Sequence, residues 1–299
     1  MWQQTFERYE GKSFGGAGSK DYFFFFHSFL WAFAPWSVIA YIAVVHRLKN
    51  FSSKKQEWLT TGTFLTMAVL ITFSGFKLPH YINIIFPIAS VLTAAYLWER
   101  INEKNVIRSL FVTQLVICIL CLLVAAIINA WAFPLRSWVV ITAMALLIVI
   151  CAIVLKRIRL KDQKLIALSV LTSILIFYLL NSNFYPQLLT YQAGNELAFE
   201  SKNKVDPKNV FIWPGIYNPS FQFYTHELKK VFSDSVLSRN QSVWILTDRN
   251  SLPQLKENNL MVLEKYSYHD YNIGTMSLKF INPNTRKETL DSLFLIRVK

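Results

Sequence analysis

The sequence predicts a multi-pass α-helical membrane protein of about six transmembrane helices, followed by a small C-terminal α/β domain on the outer, periplasmic side. Three observations carry that prediction. The chain of 299 residues is 53% hydrophobic and only 16% charged, against roughly 25% charged in soluble domains. Its apolar residues gather into long runs separated by short polar loops, and basic residues are unevenly shared among those loops. From Asn181 onward the hydropathy drops and stays low to the C-terminus.

The apolar runs lie at Phe23–Val45, Leu59–Phe76, Ile82–Trp98, Leu110–Ala130, Trp138–Leu155 and Leu165–Leu180. Each is close to the length that crosses a hydrocarbon layer as a helix. Pro35 and Pro87 fall inside two of them, so a kink is expected at each, with a neighbouring helix or water satisfying the freed backbone. Within the runs the notably polar side chains are His27, Asn83 and Asn129, with no embedded Asp, Glu, Lys or Arg. That scarcity disfavours an ion-coupled transporter, whose path needs ionisable groups at membrane depth.

Orientation follows from the loops. The first carries Arg47, Lys49, Lys54 and Lys55, the third Arg100, Lys104 and Arg108, and the fifth Lys156, Arg157, Arg159, Lys161 and Lys164. The second offers only Lys77 and the fourth only Arg136. Basic loops face the cytoplasm, so the N-terminal segment and everything after the sixth run are expected on the outer side, periplasmic or otherwise extracytoplasmic. The domain expectation is a juxtamembrane segment over 1–22, a transmembrane domain over 23–181 and a periplasmic α/β domain over 182–299. Residues 1–181 hold 17 Lys and Arg against seven acids, and residues 182–299 hold 14 against 11. The net charge of +13 therefore belongs mainly to the membrane half and does not form the single basic face of a nucleic-acid binder. The three cysteines, Cys118, Cys121 and Cys151, sit in apolar runs and read as buried thiols.

At the N-terminus, Trp2, Phe6 and Tyr9 would share one face of a short helix resting on the outer membrane surface. The glycine-containing stretch that follows looks like an interior loop, and the chain is expected to be part of a longer protein. In the C-terminal domain, β-type runs are expected at Asn209–Trp213, Ser242–Thr247, Met261–Leu263, Ser277–Ile281 and Leu293–Val298, with helices at Tyr191–Lys202 and around Leu252–Asn258. His226, His269 and the acids of this domain form no metal-ligand spacing and no catalytic triad pattern.

The outer segment Ser74-Gly75-Phe76-Lys77-Leu78-Pro79-His80-Tyr81 holds the most chemistry. Proline favours the first helical turn, so a helix beginning near Pro79 leaves backbone amides without intrahelical acceptors. With Lys77 beside them, these donors could hold a lipid phosphate, and Tyr81 could add a hydrogen bond. The alternative is a snorkelling lysine beside a belt tyrosine. Arg8, on the amphipathic N-terminal segment, is a second phosphate candidate, with a plain headgroup contact as its alternative.

Those residues also resemble a family. Phe73 to Tyr81, followed by Ile85-Phe86-Pro87, is similar to the Ser-x-x-Lys-Leu-Pro-x-Tyr-x-x-Pro-type signature of GT-C fold, polyprenyl-phosphate-dependent glycosyltransferases. These are the enzymes of protein mannosyltransferase and aminoarabinose transferase type, in glycosyltransferase family 39, and the flavour here is Bacteroidota-like. Trp2-Gln3-Gln4-Thr5-Phe6-Glu7-Arg8-Tyr9-Glu10-Gly11, and the Phe-rich run containing Ala34-Pro35-Trp36, resemble a segment the family carries before a middle span. The motif likeness covers roughly residues 1–100, and the remainder agrees by layout.

The resemblance implies a polyprenyl-phosphate-linked sugar as donor, bound at the outer face, and transfer to an unspecified acceptor with inversion. It implies Arg8, Lys77 and Tyr81 at the lipid phosphate, with Pro79 and His80 lining the substrate cavity. Membrane lipids are the other expected partner, with no nucleic acid and no cofactor. Some relatives carry a metal on histidines near the segment matching Thr5–Arg8, and this chain has none there, so no metal site is expected. The family's catalytic aspartate lies in an outer loop before anything matching this chain, so no catalytic residue is assigned and the chain alone is expected to be inactive. The second reading is a non-catalytic membrane protein whose periplasmic domain binds a partner or an envelope polymer.

Overall fold

The structure, a computed structural model, describes residues 21–50, 58–74, 77, 79–202, 204–237 and 242–299. The helices of the first part of the chain are α1 (Phe24–Ala32), α2 (Ser37–Lys49), α3 (Trp58–Phe73), α4 (Phe86–Arg100), α5 (Lys104–Ile127), α6 (Trp138–Arg157) and α7 (Lys161–Leu179). Helices α5 and α7 run on through π turns at Ile128–Ala132 and Leu180–Phe184, and α8 (Tyr185–Leu189) follows the second. Three of the resulting helices are long and apolar enough to cross a membrane: Lys104–Ala132, Trp138–Arg157 and Lys161–Leu189. They correspond to the last three apolar runs. Helix α3 is apolar but shorter, at 16 residues, and the first and third runs are each divided.

The chain folds as two compact units, Met1–Ala126 with Ile141–Tyr178, and Ile127–Val140 with Leu179–Lys299. In the first, α2 and α4 run parallel. Their C-terminal ends meet where Arg47 Nη2 donates to Glu99 Oε1 at 2.6 Å and where Arg100 reaches His46 Nε2. Phe25, Phe29, Ala40, Phe64, Ile82, Ile85, Ala89 and Leu92 are buried together between α1, α2, α3, α4 and the turn before α4. The basic residues that close the first and third apolar runs therefore lie at one end of this bundle, as a shared orientation of those loops requires.

Pro35 divides the first run completely, with α1 ending at Ala32 and α2 starting at Ser37. Side chains take up the carbonyls around the break: Ser37 Oγ donates to Leu30 O at 2.8 Å, and Tyr41 Oη to Phe26 O at 2.7 Å. The Pro35 carbonyl itself accepts from Gln114 Nε2 at 3.0 Å. Gln114 is fully buried and also donates to Ser169 Oγ at 2.8 Å. It joins His27, Asn83 and Asn129 as a polar side chain inside the apolar runs, one that was not expected there. The kink expected at Pro87 does not form. Pro87 instead occupies the first turn of α4, where its missing N–H costs no hydrogen bond, and a 3₁₀ turn over Pro79–Ile84 precedes it.

The second unit is built on a four-stranded sheet of β1 (Val210–Ile212), β2 (Val243–Asp248), β3 (Val262–Asp270) and β4 (Asp291–Val298), in the order β1-β2-β4-β3. The β1–β2 pair is parallel and the other pairs are antiparallel, with Leu246 opposite Leu295 and Leu295 opposite Tyr266. Helix α9 (Ala193–Ser201) covers one face through Ala193, Leu197 and Ala198, and Leu255 of α12 (Leu252–Glu257) covers the other. Covering on both faces explains why β2 and β4 read as unbroken apolar runs. Between β1 and β2 lie the short helices α10 (Pro219–Tyr224) and α11 (Asp234–Leu237).

The run Ser277–Ile281, expected as a strand, is a helical turn, α13 (Leu278–Ile281). Ser277 caps it by accepting from the Phe280 amide at 3.2 Å, and fully buried Phe280 stacks on Tyr271 at 3.8 Å. A capping serine decides the backbone here over the apolar spacing. Met261–Leu263, read as a short strand, is the start of the nine-residue edge strand β3.

Candidate functional site

The segment around Lys77 enters the site from the end of the first unit opposite the Arg47–Glu99 pair. Helix α3 stops at Phe73 and the next helical turn opens at Pro79, so the short loop between them brings Lys77 back onto the start of α1. Lys77 is only 8% exposed, although it is a lysine in a loop. Its Nζ donates to the backbone carbonyl of Asp21 at 2.8 Å and lies 5.2 Å from the centre of the Tyr22 ring. A charge this buried must be paired or hydrogen-bonded to be tolerated, and a carbonyl dipole with an aromatic face provides that.

Asp21 is the hub on the other side. One carboxylate oxygen accepts from the Phe23 amide at 2.8 Å and the other meets His27 Nε2 at 2.6 Å. The His27 contact, aided by the Phe23 amide, holds the Asp21 carboxyl below its ordinary value. The result is a compact set of charges at one end of the bundle: a lysine ammonium, a carboxylate held in its anionic form, and an imidazole against it.

Tyr81 is half-buried and packs on the cluster of Ile82 and Ile85, with the His80 ring edge-on to it at 4.9 Å. His80 itself is exposed. Pro79 begins the 3₁₀ turn. Lys77, Pro79, His80 and Tyr81 therefore share one short segment between two helical elements, while Arg8 lies outside the described residues. Asp21, Tyr22 and His27 were not expected as neighbours of Lys77. The one available signal was composition, because Asp21 is among the few acids of the membrane half.

Among the described residues no group of three or more His, Cys, Asp or Glu is placed to hold a metal ion. Cys118, Cys121 and Cys151 are free thiols. In the second unit, His269 is exposed on the edge strand and His226 adopts a left-handed backbone with φ 55°.

No family model matches the sequence, and no curated protein matches it. The fold, however, has a solved counterpart in ArnT from Cupriavidus metallidurans, a crystal structure bound to undecaprenyl phosphate. The two superpose with a TM-score of 0.59 at 12% identity, over 96% of this chain and 54% of that one. The fold is of the GT-C type. The chain thus spans about half the length of ArnT.

Proposed function

We propose that this chain forms the lipid-phosphate-binding part of a GT-C membrane glycosyltransferase that moves a sugar from a polyprenyl-phosphate donor to an acceptor at the periplasmic face. The observation that carries the reading is the likeness over 96% of the chain to a protein solved with undecaprenyl phosphate. In this reading six helical segments cross the inner membrane, the divided first and third runs included. Residues 23–181 form the transmembrane domain, 1–22 lie at the outer surface, and 182–299 are periplasmic.

Lys77, Arg8 and Tyr81 then grip the phosphate, with Pro79 and His80 beside it. An ammonium carries three donors, and the Asp21 carbonyl takes one of those on Lys77. That bond, with the Tyr22 ring, fixes the direction of the ammonium so that its other donors can meet phosphate oxygens without a large ordering cost. Transfer also needs a general base at the acceptor hydroxyl. Asp21 is already committed to His27 and the Phe23 amide, so the base is assigned to another part of the enzyme.

A photoreactive undecaprenyl-phosphate analogue tests this on the full chain in nanodiscs. Labelling should concentrate on the peptide containing Lys77 and fall when unmodified undecaprenyl phosphate is added. Labelling spread along all the apolar helices, or indifferent to the competitor, would leave only the shared fold.

A second reading, a binding role for the outer domain alone, is favoured by one feature. Tyr217, Phe223 and Leu228 are 83%, 70% and 87% exposed around a groove of about 540 Å³. Capture of an envelope glycan by the chain after loss of those side chains would exclude the groove from that role.

A further inference from the structure

Two membrane helices fix the depth at which one end of the second unit lies. Helix Lys104–Ala132 carries no charged side chain after Arg108, and helix Lys161–Leu189 none after Lys164. Crossing the hydrocarbon takes about 20 helical residues, and counted from those two cations the crossings end at Ile128 and Phe184. Ala132 and Leu188 stand roughly 6 Å further along each axis, inside a headgroup layer on the order of 5–7 Å thick. Tilt would only lower them. The two counts agree, because Phe133 meets Phe184 edge-on at 5.1 Å. Trp131 and Trp138, both exposed, flank this level as interfacial tryptophans do.

The C-terminal part of the chain returns to the same level. Phe280 of α13 is buried against Ala132, Phe133, Phe184 and Leu188, and Arg286 donates to the Ala132 carbonyl at 2.7 Å. Helix α13 is thus held beside the headgroup layer. Leu278 precedes Ile281 by one helical turn, so it stands beside the packed Phe280–Ile281 face and not behind it, yet it is 84% exposed. Met276 and Lys279 next to it are exposed as well. A lone exposed leucine is ordinary on a surface that meets only water. At headgroup depth, an apolar tip with a lysine beside it fits lipid instead. We infer that the turn Met276–Lys279 is a membrane-contact element: Leu278, with Met276, enters the interfacial layer of the leaflet in which α5 and α8 end, and Lys279 keeps its ammonium among the headgroups. The inference rests on the two helices crossing a bilayer and not on sugar transfer, so it can fail while the lipid-phosphate reading stands.

The test attaches an environment-sensitive fluorophore to Leu278→Cys and, separately, to Met261→Cys of the full chain, one chain per nanodisc, with a nitroxide-labelled phospholipid titrated into the bilayer. Met261 is the control because it is also exposed, at 66%, but pairs with Lys299 at the far end of β4. That end lies roughly 25 Å along the strand from Leu290, which packs on the helix ends. The wild type, whose Cys118, Cys121 and Cys151 lie in α5 and α6, gives the labelling blank. Emission from position 278 should shift to the blue and be lost as the nitroxide lipid is added, while emission from position 261 stays. No loss at 278, or equal loss at both positions, would overturn the inference. A blue shift at 278 without quenching would overturn it too, because protein and not lipid would then cover the turn.

Discussion

The guanidinium of Arg286 sits 4.2 Å from the centre of the Phe133 ring and donates from Nη2 to the carbonyl of Ala132 at 2.7 Å. It joins chain segments 154 residues apart. The same group donates from Nε to Phe280 O at 2.8 Å, from Nη2 to Ile281 O at 3.1 Å, and from Nη1 to the Tyr191 hydroxyl at 3.3 Å. The second unit therefore uses one planar cation to collect three backbone carbonyls, with Phe280 and Tyr191 also close to its plane.

Arg286→Ala would leave those carbonyls without their charged donor, at a cost of about 2–4 kcal/mol. Arg286→Lys should recover only a minor part of it, because an ammonium on a flexible stem lacks the planar, pre-organised fork that reaches these carbonyls while lying flat on a ring. Thermal unfolding of the full chain in detergent measures both. Equal melting of the Lys variant and the wild type would show that charge alone suffices.

Gln114→Leu should destabilise the first unit by about 1–2 kcal/mol, the scale of interhelical hydrogen bonds in membranes. The Pro35 carbonyl loses its donor, while the Ser169 hydroxyl keeps its bond to the Leu165 carbonyl. The effect stays modest because the Gln114 amide oxygen has no hydrogen-bond partner among the described residues, so the leucine relieves one buried polar atom while orphaning another. The measurement is unfolding in denaturing detergent, and Ser169→Ala should cost less.

Asp270 accepts from the Ala193 amide at 3.0 Å, and burial, with Asp291 opposite it, pushes its carboxyl above the ordinary 3.8. The folded chain thus holds a proton that the unfolded chain releases between 3.8 and the raised value. Stability falls as pH rises through that window, is free of the penalty below it, and carries all of it above. Asp270→Asn keeps an acceptor for Ala193 and removes the charge. It should melt at or above the wild-type temperature near neutral pH and converge with it in acid. A lower melting temperature at neutral pH would mean that the carboxylate is favourable as it stands.

The sequence was most legible where one physical signal dominated. The runs around Gln114, Leu146 and Ser173 are apolar throughout and became the three long helices. The central strands β2 and β4 are buried on both faces and were found nearly to their ends. The edge strand β3 was seen only at Val262 and Leu263, because Glu264, Ser267 and His269 face solvent and dilute the strand signal. At Ser277 an apolar alternation competed with a cap, and the cap won. Pro87 was legible as a helix-compatible proline only once the preceding 3₁₀ turn was known. At the candidate site, Lys77 could be singled out from its neighbours, but its contact with Asp21 joins residues 56 positions apart, and nothing local encodes it.

The central claim, that Lys77 grips a polyprenyl phosphate, is tested most directly by titrating the full chain in nanodiscs with undecaprenyl phosphate and comparing Lys77→Ala and Lys77→Arg with the wild type. Loss of a charge-assisted contact of about 1.5–3 kcal/mol predicts an affinity roughly ten-fold or more weaker for Lys77→Ala. Lys77→Arg should stay near the wild type, and affinities are compared on folded protein, because Lys77→Ala also removes the donor to the Asp21 carbonyl and should melt somewhat lower. Equal affinities across the three folded proteins would contradict the account.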